Sequence, residues 1–183
     1  MRTVLLLGAL LVSSAAFAQA QPARKPLAQP DVIFVPTPQA VVDEMLKLAD
    51  VKQGDVLYDL GSGDGRIPIT AAKRYGVRAV GIDIDPQRIA EANENARRNG
   101  VTGQVQFRNE NLFTANFREA TVVTLYLLPE LNVRLRPKLW KELKPGTRVV
   151  SHQFEMGDWK PEKTVELNGR RIYFWTIPEK KGK

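Results

Sequence analysis

The stretch Asp59-Leu-Gly-Ser-Gly-Asp-Gly65 restricts this chain more than any other. An apolar run, Val56-Leu57-Tyr58, leads into it and a helix-forming segment, Arg66 to Tyr75, follows, so a strand must turn through three glycines straight into a helix. Glycine admits left-handed backbone and lets another atom stand where a Cβ would be. A strand, a glycine turn and a helix in that order form a pocket of the nucleotide-binding kind. Spacing weakens both phosphate-cradling versions of it. A dinucleotide fingerprint needs glycine at its first, third and sixth places, and counted from Gly61 the sixth place is Arg66. A P-loop needs Gly-Lys-Ser/Thr after four intervening residues, which Gly65-Arg66-Ile67 does not supply. A tight turn with no ligand is the alternative to a pocket.

A second acid supports the pocket. Arg78-Ala-Val-Gly-Ile-Asp-Ile-Asp85 reads as another buried strand ending in carboxylates. Asp83 follows Asp59 at close to the spacing of about 20 residues at which an acidic side chain meets a ribose hydroxyl pair. A carboxylate suits that task because it accepts from both hydroxyls; a strand-end acid facing water is the other role open to Asp83. Asp85 is placed to cap the next helix, with Pro86 in its first turn.

The chain has 183 residues, enough for one domain with a full core. Residues 1–18 read as a cleaved export signal: Arg2, the apolar run Val4 to Val12, then Ala16-Phe17-Ala18 as a small-residue cleavage site. Ala18-Gln19-Ala20 offers cleavage after 20 instead, and an uncleaved anchor is a further option although the run is short of the roughly 20 residues that span a bilayer. Residues 19–30, rich in Pro, Ala and Gln, read as a flexible leader, residues 31–178 as the domain, and residues 179–183 as a basic tail. The expected location is therefore the periplasm. There is no cysteine, which excludes a lipid-anchored lipoprotein, disulfides and thiol chemistry; with a single histidine, His152, a metal site has little material and none is expected.

Net charge is +7, and all of it falls in the last fifty residues, where 13 Lys and Arg face 6 Asp and Glu. Such an end fits an acidic protein partner, an anionic membrane surface or, less well, nucleic acid. A solvated helix face with a frayed tail is the simpler account of it.

Periodicity orders the chain as alternating strands and helices. A helix begins at Thr37-Pro38 with Val41, Val42, Met45, Leu46 and Leu48 on one face. Strands follow at Asp55 to Leu60, up to Asp83, at Val105 to Arg108, at Thr121 to Leu128 and at Arg148 to Phe154, with helices from Arg66 to Tyr75, from Pro86 to Asn99 and from Pro129 to Leu143, the last interrupted or kinked near Pro137. Thr164 to Leu167 and Arg171 to Ile177 flank Asn168-Gly169, a strong hairpin signal. The fold class is α/β: a Rossmann-like, doubly wound, seven-stranded sheet with an antiparallel terminal hairpin whose last strand lies beside the fifth. Ligands in such sheets sit beyond the carboxyl ends of the strands, which groups Asp59 to Gly65, Asp83, Asn111, Tyr126 and His152.

The glycine loop resembles the Asp-x-Gly-x-Gly-x-Gly loop of class I S-adenosylmethionine-dependent methyltransferases. Phe34-Val-Pro-Thr-Pro38, Thr124-Leu-Tyr-Leu-Leu-Pro129, Leu135-Arg-Pro-Lys-Leu139 and Lys144-Pro-Gly-Thr-Arg-Val-Val-Ser-His152 narrow the resemblance to the short protein-lysine methyltransferases that include the mitochondrial ATP synthase c-subunit enzyme, over about Asp31 to Trp159. That resemblance implies S-adenosyl-L-methionine as cofactor and a protein lysine as acceptor. It assigns the cofactor's methionine part to Asp59, Gly61, Ser62, Gly63 and Gly65 and its ribose to Asp83. The acid that usually accepts the adenine amino group is replaced by Asn111, whose amide oxygen still accepts one hydrogen bond, with Glu110 as a second choice. The strand-four Asn/Asp-Pro-Pro-aromatic signature of many amino methyltransferases is absent, and Tyr126 occupies its place as the candidate catalytic residue.

Methyl transfer from a sulfonium is an in-line displacement that needs alignment and exclusion of water. Tyr126 and the Phe34 to Thr37 loop are expected to form a dry channel that keeps the acceptor amine neutral; a strand-end residue capping the core is the other role open to Tyr126. His152 has the choice between orienting the acceptor, taking its proton, and a structural hydrogen bond. Export conflicts with a cytosolic cofactor. A non-catalytic periplasmic binding protein on this scaffold therefore remains an alternative, as does methylation of a small molecule or nucleic acid.

Overall fold

The computed structural model describes residues 33–179, so the expected signal peptide, the leader and all but the first residue of the tail lie outside the described residues. In chain order the elements are α1 (Gln39–Leu48), β1 (Val56–Leu60), α2 (Arg66–Tyr75), β2 (Arg78–Asp83), α3 (Pro86–Arg98), β3 (Val105–Asn109), β4 (Val122–Leu125), α4 (Pro129–Glu142), β5 (Arg148–His152), β6 (Lys163–Leu167) and β7 (Arg170–Thr176). They form one seven-stranded sheet in the order β3-β2-β1-β4-β5-β7-β6. The first five strands pair in parallel, and β7 lies antiparallel between β5 and β6, as the Asn168-Gly169 hairpin requires. Both turn residues are left-handed, with φ of 52° and 72°.

Central strands are buried on both faces. Leu57 and Ala79 point to one side, into a core shared with Val42, Met45 and Leu46 of α1, Ala71 and Ala72 of α2, and Ala92 and Ala96 of α3. Leu60, Ile82, Val123 and Leu125 point to the other, where Leu135 and Leu139 of α4 meet Phe117, Met156 and Trp175. The winding is uneven: three helices cover one face, while α4 shares the other with the segment between β3 and β4.

Most element ends fall within a residue of expectation; two strand ends and one helix depart from it further. β4 stops at Leu125 rather than Leu128, because its last paired neighbours are Leu60, after which the first strand turns away at Gly61, and Ser151. Tyr126, Leu127 and Leu128 are thereby released from the sheet at the edge that holds the site. β5 ends at His152 rather than Phe154, since Gln153 takes a positive φ of 69°. Helix α4 runs unbroken through Pro137. The carbonyl that loses its partner belongs to Val133, a residue 40% exposed, so water can satisfy it.

The glycines of the loop answer to protein neighbours. A Cβ on Gly65, at φ 80°, would stand 2.4 Å from the Phe107 ring, and one on Gly81 in β2 would stand 2.5 Å from the same ring. Phe107 therefore packs α2 and β2 together through two positions without side chains. Gly65→Ala combines left-handed strain with a clash and is expected to cost about 3 kcal/mol, lowering the melting temperature by roughly 10 °C in a thermal scan.

Candidate active site

The strand order reverses between β1 and β4, where β2 and β3 run to one side and β5 to the other, and ligands of open α/β sheets bind at that switch point. Asp59 and Thr124 face each other across it as paired residues of the two strands. The Thr124 hydroxyl donates to Asp59 Oδ1 at 2.8 Å. Asp59 is 2% exposed, and among the described residues this hydroxyl is its hydrogen-bond donor, with no cation in an ion pair. Burial pushes its pKa up to about 8, against the Thr124 bond and helped by the negative charges of Asp83 and Asp64. The site is built to gain from a cation.

A cleft opens beside it. Of the residues expected from the sequence, Asp59, Gly61, Ser62, Asp83, Asn111 and Tyr126 line it, whereas Gly63 and Gly65 do not. The loop's N–H groups explain why no phosphate fits: Gly61 and Ser62 both donate to the Ile82 carbonyl, Gly65 to the Ser62 carbonyl, and Gly63 to Asp83 Oδ2 at 2.8 Å. Donors that would cradle an anion are spent inside the protein. Gly63 is covered by the strap at 33–37, since a Cβ there would stand 2.2 Å from the Phe34 ring. The Arg88 guanidinium lies over the same ring, 5.0 Å from its centroid. Gly61 and Ser62 thus border the cleft, while Gly63 and Gly65 lie against the Phe34 and Phe107 rings.

Asp83 fastens the loop as well as lining the cleft. Its Oδ1 accepts from Asp85 N at 2.9 Å and its Oδ2 from Gly63 N, with Ile84 N as a further backbone donor, so part of its accepting capacity remains for the cleft. Burial raises its pKa, and those backbone donors oppose the rise. Asp85 caps α3 through Gln87 N at 2.8 Å. Asn111 spends one lone pair of its amide oxygen on Phe113 N at 2.9 Å, which bends the chain so that Leu112 and Phe113 also line the cleft. Glu110 does not join them. Both its oxygens are held by Arg108, at 2.8 and 2.6 Å, so it is withdrawn from the role of second adenine acceptor.

At the β4 end, Tyr126 lies against His152 with ring centroids 4.0 Å apart, and His152 is fully buried. His152 Nδ1 is 3.2 Å from the Thr37 hydroxyl. Burial, aided by the charge of Arg170, lowers its pKa to about 4, so the imidazole is neutral near pH 7 and is a poor proton acceptor for an amine. Thr37 also receives Arg66 Nη1 on its carbonyl at 2.8 Å, and Arg66 grips Asp64. Sequence reasoning missed Arg66, Arg88, Ile84 and Leu131 as wall residues. Arg66 and Ile84 adjoin the motifs and were findable; Arg88 and Leu131 reach the cleft from helices by tertiary packing.

Fold and site together define a class I methyltransferase. The sequence profile of the ANTKMT methyltransferase domain matches residues 59–163, and the chain belongs to that family. A protein-lysine N-methyltransferase of Saccharolobus islandicus is 50% identical over 83% of this chain and 98% of its own length. The lysine N-methyltransferase of Rattus norvegicus that is named for the ATP synthase c-subunit is 35% identical over 72% of this chain, which spans 60% of that protein's length. Among solved structures, a chain of Salinibacter ruber described as an RNA methyltransferase in complex with S-adenosyl-L-homocysteine is 58% identical, with a TM-score of 0.79 over 81% of this chain and 97% of its own.

A raised carboxylate pKa has a definite sign. The proton on Asp59 stabilises the folded, empty protein fully below its ordinary value of 3.8, and that contribution is lost as pH rises through about 8. A cationic ligand displaces the proton. Titration calorimetry at pH 7 in buffers of different ionisation enthalpy should show proton release on binding, and Asp59→Asn should abolish the release and weaken binding by about tenfold or more.

Proposed function

We propose that this chain transfers the methyl group of S-adenosyl-L-methionine to the side-chain amine of a lysine in a protein. The observation that carries the reading is Asp59, a buried carboxylate at the switch point without a protein cation, in a cleft that sets apolar side chains beside two further carboxylates, Asp64 and Asp83. Such a cleft favours a cofactor that bears positive charge on both a sulfonium and an ammonium. The unspent accepting capacity of Asp83 suits the ribose hydroxyls, the remaining lone pair of Asn111 suits an adenine amino group, and Ile84, Leu112 and Phe113 supply apolar surface for the base. Gly61 and Ser62 leave room for the methionine part.

When bound, the cofactor supplies an electrophilic methyl group on a good leaving group. The chain's residues then have to bind, align and exclude water. The amine attacks only when neutral, and Tyr126, Leu127, Leu131 and the strap over Gly63 disfavour its ammonium form by offering little solvation. Names of relatives support a protein lysine as acceptor. One observation favours RNA instead, the description of the 58% identical Salinibacter ruber chain. Three of the basic residues in the last fifty positions are held in ion pairs, Arg136 with Asp158, Lys138 with Glu142 and Arg148 with Asp55, of which only the last draws on an acid from outside that region, so most of the basic excess stands. Arg134, exposed, lies 3.9 Å over the ring of Phe113, which lines the cleft, and such a cation suits acidic residues flanking an acceptor lysine.

Incubating cell extract with methyl-tritiated cofactor tests the reading. Label is expected in protease-sensitive material that yields methyl-lysine on acid hydrolysis; ribonuclease-sensitive label would transfer the assignment to RNA, and cofactor binding without label would make the chain a binding module. Tyr126→Ala is expected to slow transfer by about tenfold or more with cofactor affinity retained.

We further infer export to the periplasm from the sequence of residues 1–20. Mass spectrometry of the chain from fractionated cells should find a periplasmic form beginning at Gln19 or Gln21. An intact Met1 in the cytosolic fraction overturns this.

A further inference from the structure

The end of β5 turns in a way that ordinary residues avoid. Gln153 is not glycine, yet its φ is 69°, and the N–H of Phe154 donates to the carbonyl of His152 at 2.9 Å, closing a γ-turn with Gln153 at its centre. γ-Turns with a positive central φ are rare and strained, and strain of this kind persists only where surrounding contacts over-determine it. Those contacts are present. Gln153 N donates to Arg171 O at 2.7 Å, and since the turn removes the Gln153 carbonyl from the ladder, its side-chain Oε1 accepts Arg171 N in its stead, at 3.3 Å. From the other side, Asn132 of α4, fully buried, aims its amide nitrogen at the carbonyls of Phe154 and Glu155 and at Ser151 Oγ, each at 3.3 Å. Ser151 Oγ in turn donates to the Phe154 carbonyl at 2.7 Å.

The turn places two rings on one target. His152 lies 4.0 Å from the Tyr126 ring centroid, and Phe154 stacks near it at 6.3 Å and 19°. An undistorted strand sends alternate side chains to one face at a spacing set by the pleat; the γ-turn shortens that spacing so that both rings reach one tyrosine. Tyr126 itself has left β4 and no longer has a strand to hold it. Its position is set by these neighbours instead.

We propose that the His152–Gln153–Phe154 turn is a positioning element for the acceptor, acting through Tyr126. This rests on the lysine-methylation reading for the identity of the acceptor. The nucleoside end of the cleft is formed at β2 and β3, by Asp83 and Asn111, so the β4 end with Tyr126 is where an acceptor enters. The turn's tie toward the glycine loop runs through His152 and Thr37, whereas the bonds and ring contacts of Gln153 and Phe154 go to Arg171, Asn132, Ser151 and Tyr126 and not to Asp83 or Asn111. Loosening it therefore changes alignment of the acceptor and leaves the cofactor's seat unaltered.

Phe154 is half-buried, which makes it a safer position to vary than His152. With the labelled lysine acceptor, Phe154→Leu is expected to lower kcat/KM for the acceptor about tenfold, short of the hundredfold that a 1 Å misplacement can cost. Cofactor Kd should stay within about twofold and Phe154→Tyr, which keeps the ring, should restore the rate, because only alignment is disturbed. Gln153→Gly, which accepts the same φ but loses the side-chain half of the tie to Arg171, should show the same split in milder form. Unchanged acceptor kinetics in both Phe154→Leu and Gln153→Gly would overturn the proposal, as would a parallel loss of cofactor affinity and melting temperature, which marks a merely structural role. Wild-type protein that binds cofactor and labels no lysine overturns the underlying reading and this inference with it; an active wild type with indifferent variants overturns the inference alone.

Discussion

The pairing of β1 with β4 sets the chemistry of this protein, because it carries a carboxylate into the sheet's centre and gives it one hydroxyl for company. Asp59 and Thr124 are neighbours only through that register. In water Asp59 would ionise well below neutral pH; buried, with two further carboxylates near, it holds its proton to about pH 8. A fold that strands an acid in this way has lost free energy that a cationic ligand returns on binding. The tight turn without a ligand, admissible on the glycines alone, offers no account of that carboxylate.

Around this acid the glycine loop acts as a hinge of packing. Phe107 reaches the backbone at Gly65 and Gly81, Leu127 approaches Gly61, and Phe34 covers Gly63. Each contact ties the loop to a different element: β3, the segment after β4, and the strap before α1. The loop's amides are turned inward by the same geometry, so the absence of a phosphate fingerprint in the spacing and the direction of the N–H groups agree.

The far end of the cleft is held less by secondary structure than by side chains. Thr37 links the strap to His152 and to Arg66, Asn132 holds the turn at Gln153, and Tyr126 rests between rings supplied by that turn. These links connect the glycine loop to the Tyr126 wall of the cleft through Thr37. A neutral imidazole at His152 is consistent with packing and orientation, and its low pKa removes it from proton abstraction.

Alternating apolar runs, the acids ending the first two strands, Asp85 as a cap and the Asn168-Gly169 hairpin were all legible along the chain, because each depends on residues a few positions apart. Asp59, Asp83 and Tyr126 were placed at the cleft for the same reason: strand ends are local events. What the chain could not disclose is which atoms meet across long separations. That Gly65 exists for Phe107, that Glu110 is claimed by Arg108, that Arg88 folds over Phe34, and that Gln153 bends β5 toward Tyr126 are decided by tertiary packing, where the bulk and the unspent hydrogen bonds of distant elements select one conformation among those that local preference allows.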